Sequence, residues 1–191
     1  MKKVFYKTLL NRGKNITANE RILYSFLVSK SIMNMKDAFD IDGKTVNSDA
    51  LAVMFDCYNN HIPLCKMSNR RISLELGVTR KSVIIGLRHL HMLGYIFNDN
   101  GEDLYIYANR ELLEHGFFEL LCDKGISGEL LIFYSYLADK ARQYGGLIDT
   151  YKDRIANDLG KTKVSVTKLL NRLYKLGLAE RREDGSLFIN V

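Results

Sequence analysis

The stretch R-I-A-N-D-L-G-K-T-K-V-S-V-T-K-L-L-N-R-L-Y-K-L-G-L-A-E-R-R-E-D-G-S-L-F-I, Arg154 to Ile189, decides the fold. A short helix is expected to end at Leu159-Gly160, because glycine enters the left-handed turn that closes a helix without a steric cost. Thr162 is placed to cap a second helix, whose Val166, Leu169, Leu170 and Leu173 fall on one face at spacings of three and four. A two-stranded hairpin follows around Asp184-Gly185, a tight-turn dipeptide. Opposite the apolar face, Lys163, Thr167, Lys168 and Asn171 project together.

The same pattern occurs earlier. Sliding the chain by 83 positions superimposes Arg71, Ile72, Leu76, Gly77, Thr79, Ser82, Val83, Leu87, Leu90, Leu93 and Gly94 on identical residues from Arg154 to Gly177. At an offset of 110, Ile16, Ile22, Tyr24, Ser25, Leu27 and Lys30 match Ile126, Ile132, Tyr134, Ser135, Leu137 and Lys140. The two offsets differ by 27 residues, which places an insertion over 31-67 of the first copy. Each copy reads helix, short strand, helix, turn, helix, hairpin, the order of a winged helix-turn-helix. The expected fold class is mainly α with small β-hairpin wings (α+β), as two tandem winged-helix domains from an internal duplication. The expected division is 1-108, a connecting helix and linker over 109-125, and 126-191.

Working outward, Lys2, Lys3, Lys7, Arg12 and Lys14 form an acid-free opening segment, while Val4, Phe5, Leu9 and Leu10 are expected to pack on one face. Thr17 and Glu20 form a capping box that starts a helix through about Lys30. A turn is expected at Asp42-Gly43, a helix over 48-58 and a short strand over 62-66. Asn109 is expected to cap a helix through Leu121, and Ser127 a long helix to about Tyr144 with Leu131, Tyr134, Leu137 and Ala138 on one face.

With 28 basic and 22 acidic residues the chain carries a net charge of +6, which favours an anionic partner without naming one. Cys57, Cys65 and Cys122 have no C-x-x-C spacing and are read as reduced, buried thiols of a cytoplasmic protein. The longest apolar run, Leu130 to Leu137, is far short of the roughly 20 residues that a bilayer requires, and no signal peptide precedes it. No membrane partner is expected.

Long donors and a planar amide on one helix face suit the base edges of a major groove. The hairpin adds Arg181 and Arg182, suited to phosphate or a minor groove. The first copy offers Arg80, Lys81 and Arg88, but Ile84 and Ile85 replace Thr167 and Lys168, and its hairpin carries Asp99, Glu102 and Asp103. The two isoleucines fit either thymine methyls or a protein interface. The candidate DNA-binding set is therefore Arg80, Lys81, Ser82, Arg88, Lys163, Ser165, Thr167, Lys168, Asn171, Arg181 and Arg182, with the second copy supplying more of the affinity. Catalysis, cofactors and metals are not expected. His89-Leu90-His91 spells a nicking-enzyme metal motif but falls in a helix, where residues two apart diverge. Gly43-Lys44-Thr45 lacks the earlier glycine of a phosphate loop, and Asp40-x-Asp42-Gly43 lacks calcium-loop spacing.

The segment Phe5 to Ile96 resembles the N-terminal DNA-binding domain of plasmid and phage replication initiators. The matching features are Leu9-Leu10, Thr17-Ala18-x-Glu20 with Tyr24-x-x-Leu27, Asp42-Gly43, and Met67-Ser68-Asn69 leading into Leu76-Gly77-Val78-Thr79-Arg80-Lys81-Ser82-Val83. The chain departs from that group at Ile85, where a basic residue is usual, and in its second module. The resemblance implies binding to repeated origin sites. The residues themselves imply a sequence-specific double-stranded DNA-binding protein acting as replication initiator or transcriptional regulator, its two modules addressing neighbouring half-sites about 34 Å apart. Repeated or palindromic sites are expected, with self-association left open. The alternative is a protein-interaction scaffold resembling the two-winged-helix subunits of chromosome-condensation complexes.

Overall fold

Every residue from Leu130 to Ala138 is buried, so the helix that contains them has no solvent face along its centre. An apolar stripe alone would leave one side wet, and burial on all sides means that neighbours pack around the whole circumference. The computed structural model describes residues 3–10, 15–39, 61–63, 67–99, 103–107, 116–142, 147–148 and 152–190. Along the chain these form β1 (Lys3–Tyr6), α1 (Ala18–Phe39), β2 (His61–Pro63), α2 (Asn69–Leu76), α3 (Arg80–Met92), β3 (Ile96–Asp99), β4 (Asp103–Tyr107), β5 (Phe117–Leu120), α4 (Gly128–Arg142), β6 (Leu147–Ile148), α5 (Lys152–Asp158), α6 (Lys163–Lys175), β7 (Ala179–Arg181) and β8 (Leu187–Ile189). The architecture is mainly helical with small antiparallel sheets. It divides into two units, Asn15–Gly116 and Met1–Lys14 with Phe117–Val191.

In the Asn15–Gly116 unit, α1 packs on α3 and β2, and β4 sits between β2 and β3 in a three-stranded sheet. The Thr17 capping box forms as expected: the Thr17 amide donates to Glu20 Oε2 at 2.8 Å and the Glu20 amide to Thr17 Oγ1 at 3.3 Å. The helix runs on past Lys30 to Phe39, so the start of the 31-67 insertion is a continuation of α1. The turn at Asp42-Gly43 and the helix over 48-58 lie outside the described residues. Thr79 caps α3, and Gly77 closes α2 at φ 68°, where the Val78 amide reaches back to the Ser73 carbonyl. A Cβ on Gly86 would stand 2.8 Å from Leu23 Cδ2, so this glycine sets how closely α1 and α3 approach.

In the other unit, α4 is covered by β5 on one flank and by α6, β6 and β8 elsewhere. Its sheet again has the returning hairpin strand in the middle, in the order β6-β8-β7. β1 pairs antiparallel with β5, placing Phe5 opposite Phe118 with their rings 5.4 Å apart. Over Phe117–Leu120 this corrects the helix expected from Asn109 through Leu121, whose earlier part lies outside the described residues. Phe117 to Leu120 form a strand that buries Phe118 and Leu120 on one face, Cys122–Lys124 is a 3-10 turn, and Asn109 lies outside the described residues. It also ties the opening segment to the C-terminal half instead of to the expected 1-108 domain. Phe5, Leu9 and Leu10 are buried there. Cys122 is exposed, against the expectation of a buried thiol, because that turn lies at the surface; Cys57 and Cys65 are outside the described residues.

The two units share more than element order. Lys30 on α1 pairs with Glu75 on α2 at 2.7 Å and lies 5.5 Å from the Phe26 ring. Lys140 on α4 pairs with Asp158 on α5 at 3.5 Å and lies 5.6 Å from the Tyr136 ring. These residues correspond at the offsets of 110 and 83 read from the sequence. Backbone closures recur likewise: Val78 to Ser73 and Tyr95 to Leu90 in one unit match Lys161 to Ala156 and Leu178 to Leu173 in the other.

Two outcomes follow from this packing. Gly86→Leu, which installs the residue that Leu169 provides in the other unit, should destabilise the protein by about 1–3 kcal/mol in chemical denaturation, because Leu23 has filled the space. Burial pushes the Glu20 carboxyl up, but hydrogen bonds from the Thr17 amide and hydroxyl and from His89 outweigh it and hold the group below its ordinary value. A depressed carboxyl stabilises the fold above its ordinary value and loses that contribution as pH falls through the folded one. Thermal midpoints between about pH 7 and about pH 3 should therefore fall less steeply for Glu20→Gln than for the unaltered chain.

Candidate nucleic-acid interface

The α6 helix has two unlike faces because its apolar residues recur every three or four positions. Val166, Leu169, Leu170 and Leu173 are buried, and Lys163, Lys168 and Asn171 are exposed. The Thr162 hydroxyl accepts the Ser165 amide at 3.2 Å and sits 3.0 Å from the Ser165 hydroxyl. Ser82 is held in the same way by Thr79, at 3.1 and 2.8 Å. Both serines thus serve the N-terminal caps of their helices. Thr167 donates its hydroxyl to the Lys163 carbonyl at 2.9 Å, so its one donor hydrogen is already used.

A groove of about 380 Å³ runs between α5, α6 and the β7–β8 hairpin. It brings Lys163, Thr167 and Asn171 together with Arg181, and adds Lys152 and Tyr174, which the sequence pattern missed. Helical spacing could have found Tyr174, seven residues after Thr167 and three after Asn171; Lys152, on another helix, had no such signal. Burial holds the Tyr174 phenol above its ordinary value against the opposing Arg181 charge, so at neutral pH it remains a hydroxyl donor. Lys163 also meets Asp153 at 2.6 Å, an exposed pair that an incoming anion must displace.

The hairpin separates its two arginines. Arg181 is opposite buried Leu187 and lines the groove, whereas Arg182 lies 4.6 Å from the ring of Phe188, the next residue along β8 and therefore on the other face. Asp184 at the tip accepts the Ser186 amide and hydroxyl at 2.8 and 2.6 Å, and these bonds keep it ionised below the usual carboxyl range. Lys168 is exposed on α6 away from the groove lining.

On α3, Arg80, Lys81 and Arg88 are exposed, and the preceding helix exposes Arg70 and Arg71. Ile84 and Ile85, expected as an adjacent pair on one surface, are parted: Ile84 is half-buried and Ile85 is 54% exposed, since neighbours along a helix lie about 100° apart. Asp99 and Asp103 face each other across the β3–β4 register, and Glu102 is outside the described residues. His89 Nδ1 lies 2.8 Å from Glu20 Oε1, while His91 Nδ1 donates to the Ile96 carbonyl at 2.9 Å. The two rings have different partners, and among the described residues no group of three or more His, Cys, Asp or Glu is arranged to hold a metal ion. No helix among the described residues is long and apolar enough to cross a membrane. Compared with protein-family models, with curated proteins and with solved structures, the chain matches none.

Proposed function

We propose that this is a cytoplasmic, sequence-specific double-stranded DNA-binding protein of plasmid or phage type, built as two tandem winged helices from an internal duplication. The observation that carries it is the outward face of α6 with its groove, where Lys163, Asn171 and Arg181 converge beside exposed Lys168 on a helix whose other face is fully used by the core. Donors of that length around one open groove fit base edges and phosphates. The recurring element order, the paired Lys–acid–aromatic clusters and the matched backbone closures support the duplication.

In this reading α6 and α3 each enter a major groove, and the hairpins contact the flanking backbone. Arg181 and Arg182 of the second hairpin, against the paired Asp99 and Asp103 of the first, favour the C-terminal module for more of the phosphate affinity. A replication initiator at repeated origin sites and a transcriptional regulator at a palindromic operator would both use this surface. The genomic fragments retained by the protein separate them: a repeated origin indicates the first and its own promoter the second.

Binding to duplex DNA should weaken steeply with salt, with log K falling by about 0.9 per phosphate contact per log unit. Arg182→Ala should flatten that slope by about 0.9, and together with Lys168→Ala should weaken binding more than Arg88→Ala. Asp153→Asn should tighten binding at low salt, because it frees Lys163 from its ion pair. Absence of duplex binding at low salt would reject the reading in favour of a protein-interaction scaffold.

A further inference from the structure

The α3 helix carries a stripe that α6 has in a different chemical order. Lys81, Ile85, Arg88 and Met92 recur at spacings of four, three and four and are all exposed, Ile85 to 54% and Met92 to 81%. At the corresponding positions α6 presents Val164, Lys168, Asn171 and Lys175, with Val164 exposed to 64%. The apolar and cationic members of the first two positions are thus exchanged between the helices.

Ile85 has no part in the core of its own unit. Val83, Gly86 and Leu90 supply the buried face of α3, and Ile84 covers the flank. Ile85 instead stands in water with a cation one turn to either side. No position of α3 is acidic, and α2 exposes Arg70 and Arg71 beside it. A protein surface would have to accommodate these charges around an apolar contact. A polyanion matches them, and the apolar group that duplex DNA displays in its major groove is the C5-methyl of thymine.

We propose, resting on the DNA-binding reading above, that Ile85 packs against a thymine methyl in the half-site taken by the Asn15–Gly116 unit, with Lys81 and Arg88 gripping the strand on either side. Lys168 stands at the same place on α6, and a lysine there selects an acceptor such as guanine O6 or N7. The two half-sites addressed by one chain therefore differ in sequence, thymine at one and guanine at the other.

The test uses the full-length protein and duplexes enriched by it from a random-sequence pool, each thymine then replaced singly by uracil, which removes the methyl and nothing else. One replacement should weaken binding about fourfold, the effect of losing one buried methyl, and Ile85→Ala should abolish that difference. Ile85→Lys should shift enrichment at the same position from thymine to guanine. Ile85 is more than half exposed, so both variants should keep the thermal midpoint of the parent. Equal binding of every thymine and uracil duplex would overturn the inference and leave the DNA reading intact. So would a methyl effect that persists in Ile85→Ala. Failure to enrich or retain any duplex would overturn both.

Discussion

Burial of the first helix in each unit governs what the rest of the chain can do. Nearly every position of α1 from Glu20 to Ser31 and of α4 from Leu130 to Ala138 is withdrawn from solvent, so neither of these stretches has a face to offer a partner. Two further helices must then lean their apolar faces inward, and helical periodicity sends the remaining side chains of α3 and α6 outward. The surface available for recognition is in this sense what remains after the core is packed. Its position follows from the fold, and its chemistry is free to vary.

The two units show how far that freedom reaches. Their cores and joints agree in detail: Lys30 with Glu75 and Phe26 does what Lys140 does with Asp158 and Tyr136, each fastening the first helix to the second. These lysines sit between a carboxylate and a ring, and such a cluster fixes geometry more than it adds stability, because partly exposed ion pairs contribute little. Outward positions have diverged, with Ile85 against Lys168 and Arg88 against Asn171. Gly86 against Leu169 is a core site where the two units solve packing differently, since α1 brings Leu23 into the volume that a leucine fills in the other unit.

Much of this was legible in the sequence because it is local. The caps at Thr17, Ser68, Thr79 and Thr162, the left-handed glycines and the hairpin at Asp184-Gly185 each rest on residues within one turn of one another. Pairing of β1 with β5 was not legible, as four residues near the start meet four near the middle of the chain and nothing in either names the other. Phe117 to Leu120 alternates between exposed and buried in the strand period, yet four residues are too few to separate that period from a helical one. The full burial of α4 was hidden for a related reason: helical spacing pointed to one face, Leu131, Tyr134, Leu137 and Ala138, and gave no sign that Ser135 and Tyr136 would be buried as well. Tyr136 donates its hydroxyl to Asp158, Tyr134 to the Asn190 carbonyl, and Ser135 accepts the Leu121 amide at 3.0 Å, so their polar atoms are satisfied inside.

Candidate site residues followed the same rule. Spacing along one helix located Lys163, Thr167 and Asn171, but not which of them would keep a free donor. Thr167 spends its hydroxyl on the Lys163 carbonyl, Ser82 and Ser165 pair theirs with the cap hydroxyls of Thr79 and Thr162, and Lys163 shares its charge with Asp153 on the neighbouring helix. Along the outward stripe, α6 presents Val164, Lys168, Asn171 and Lys175, and α3 presents Lys81, Ile85, Arg88 and Met92. The two units thus keep the same joints while exchanging cation for hydrocarbon at the outer surface, one shape with two chemistries. On the proposed DNA reading, such a pair suits an asymmetric target better than a repeat of one half-site, because specificity is a difference of affinities.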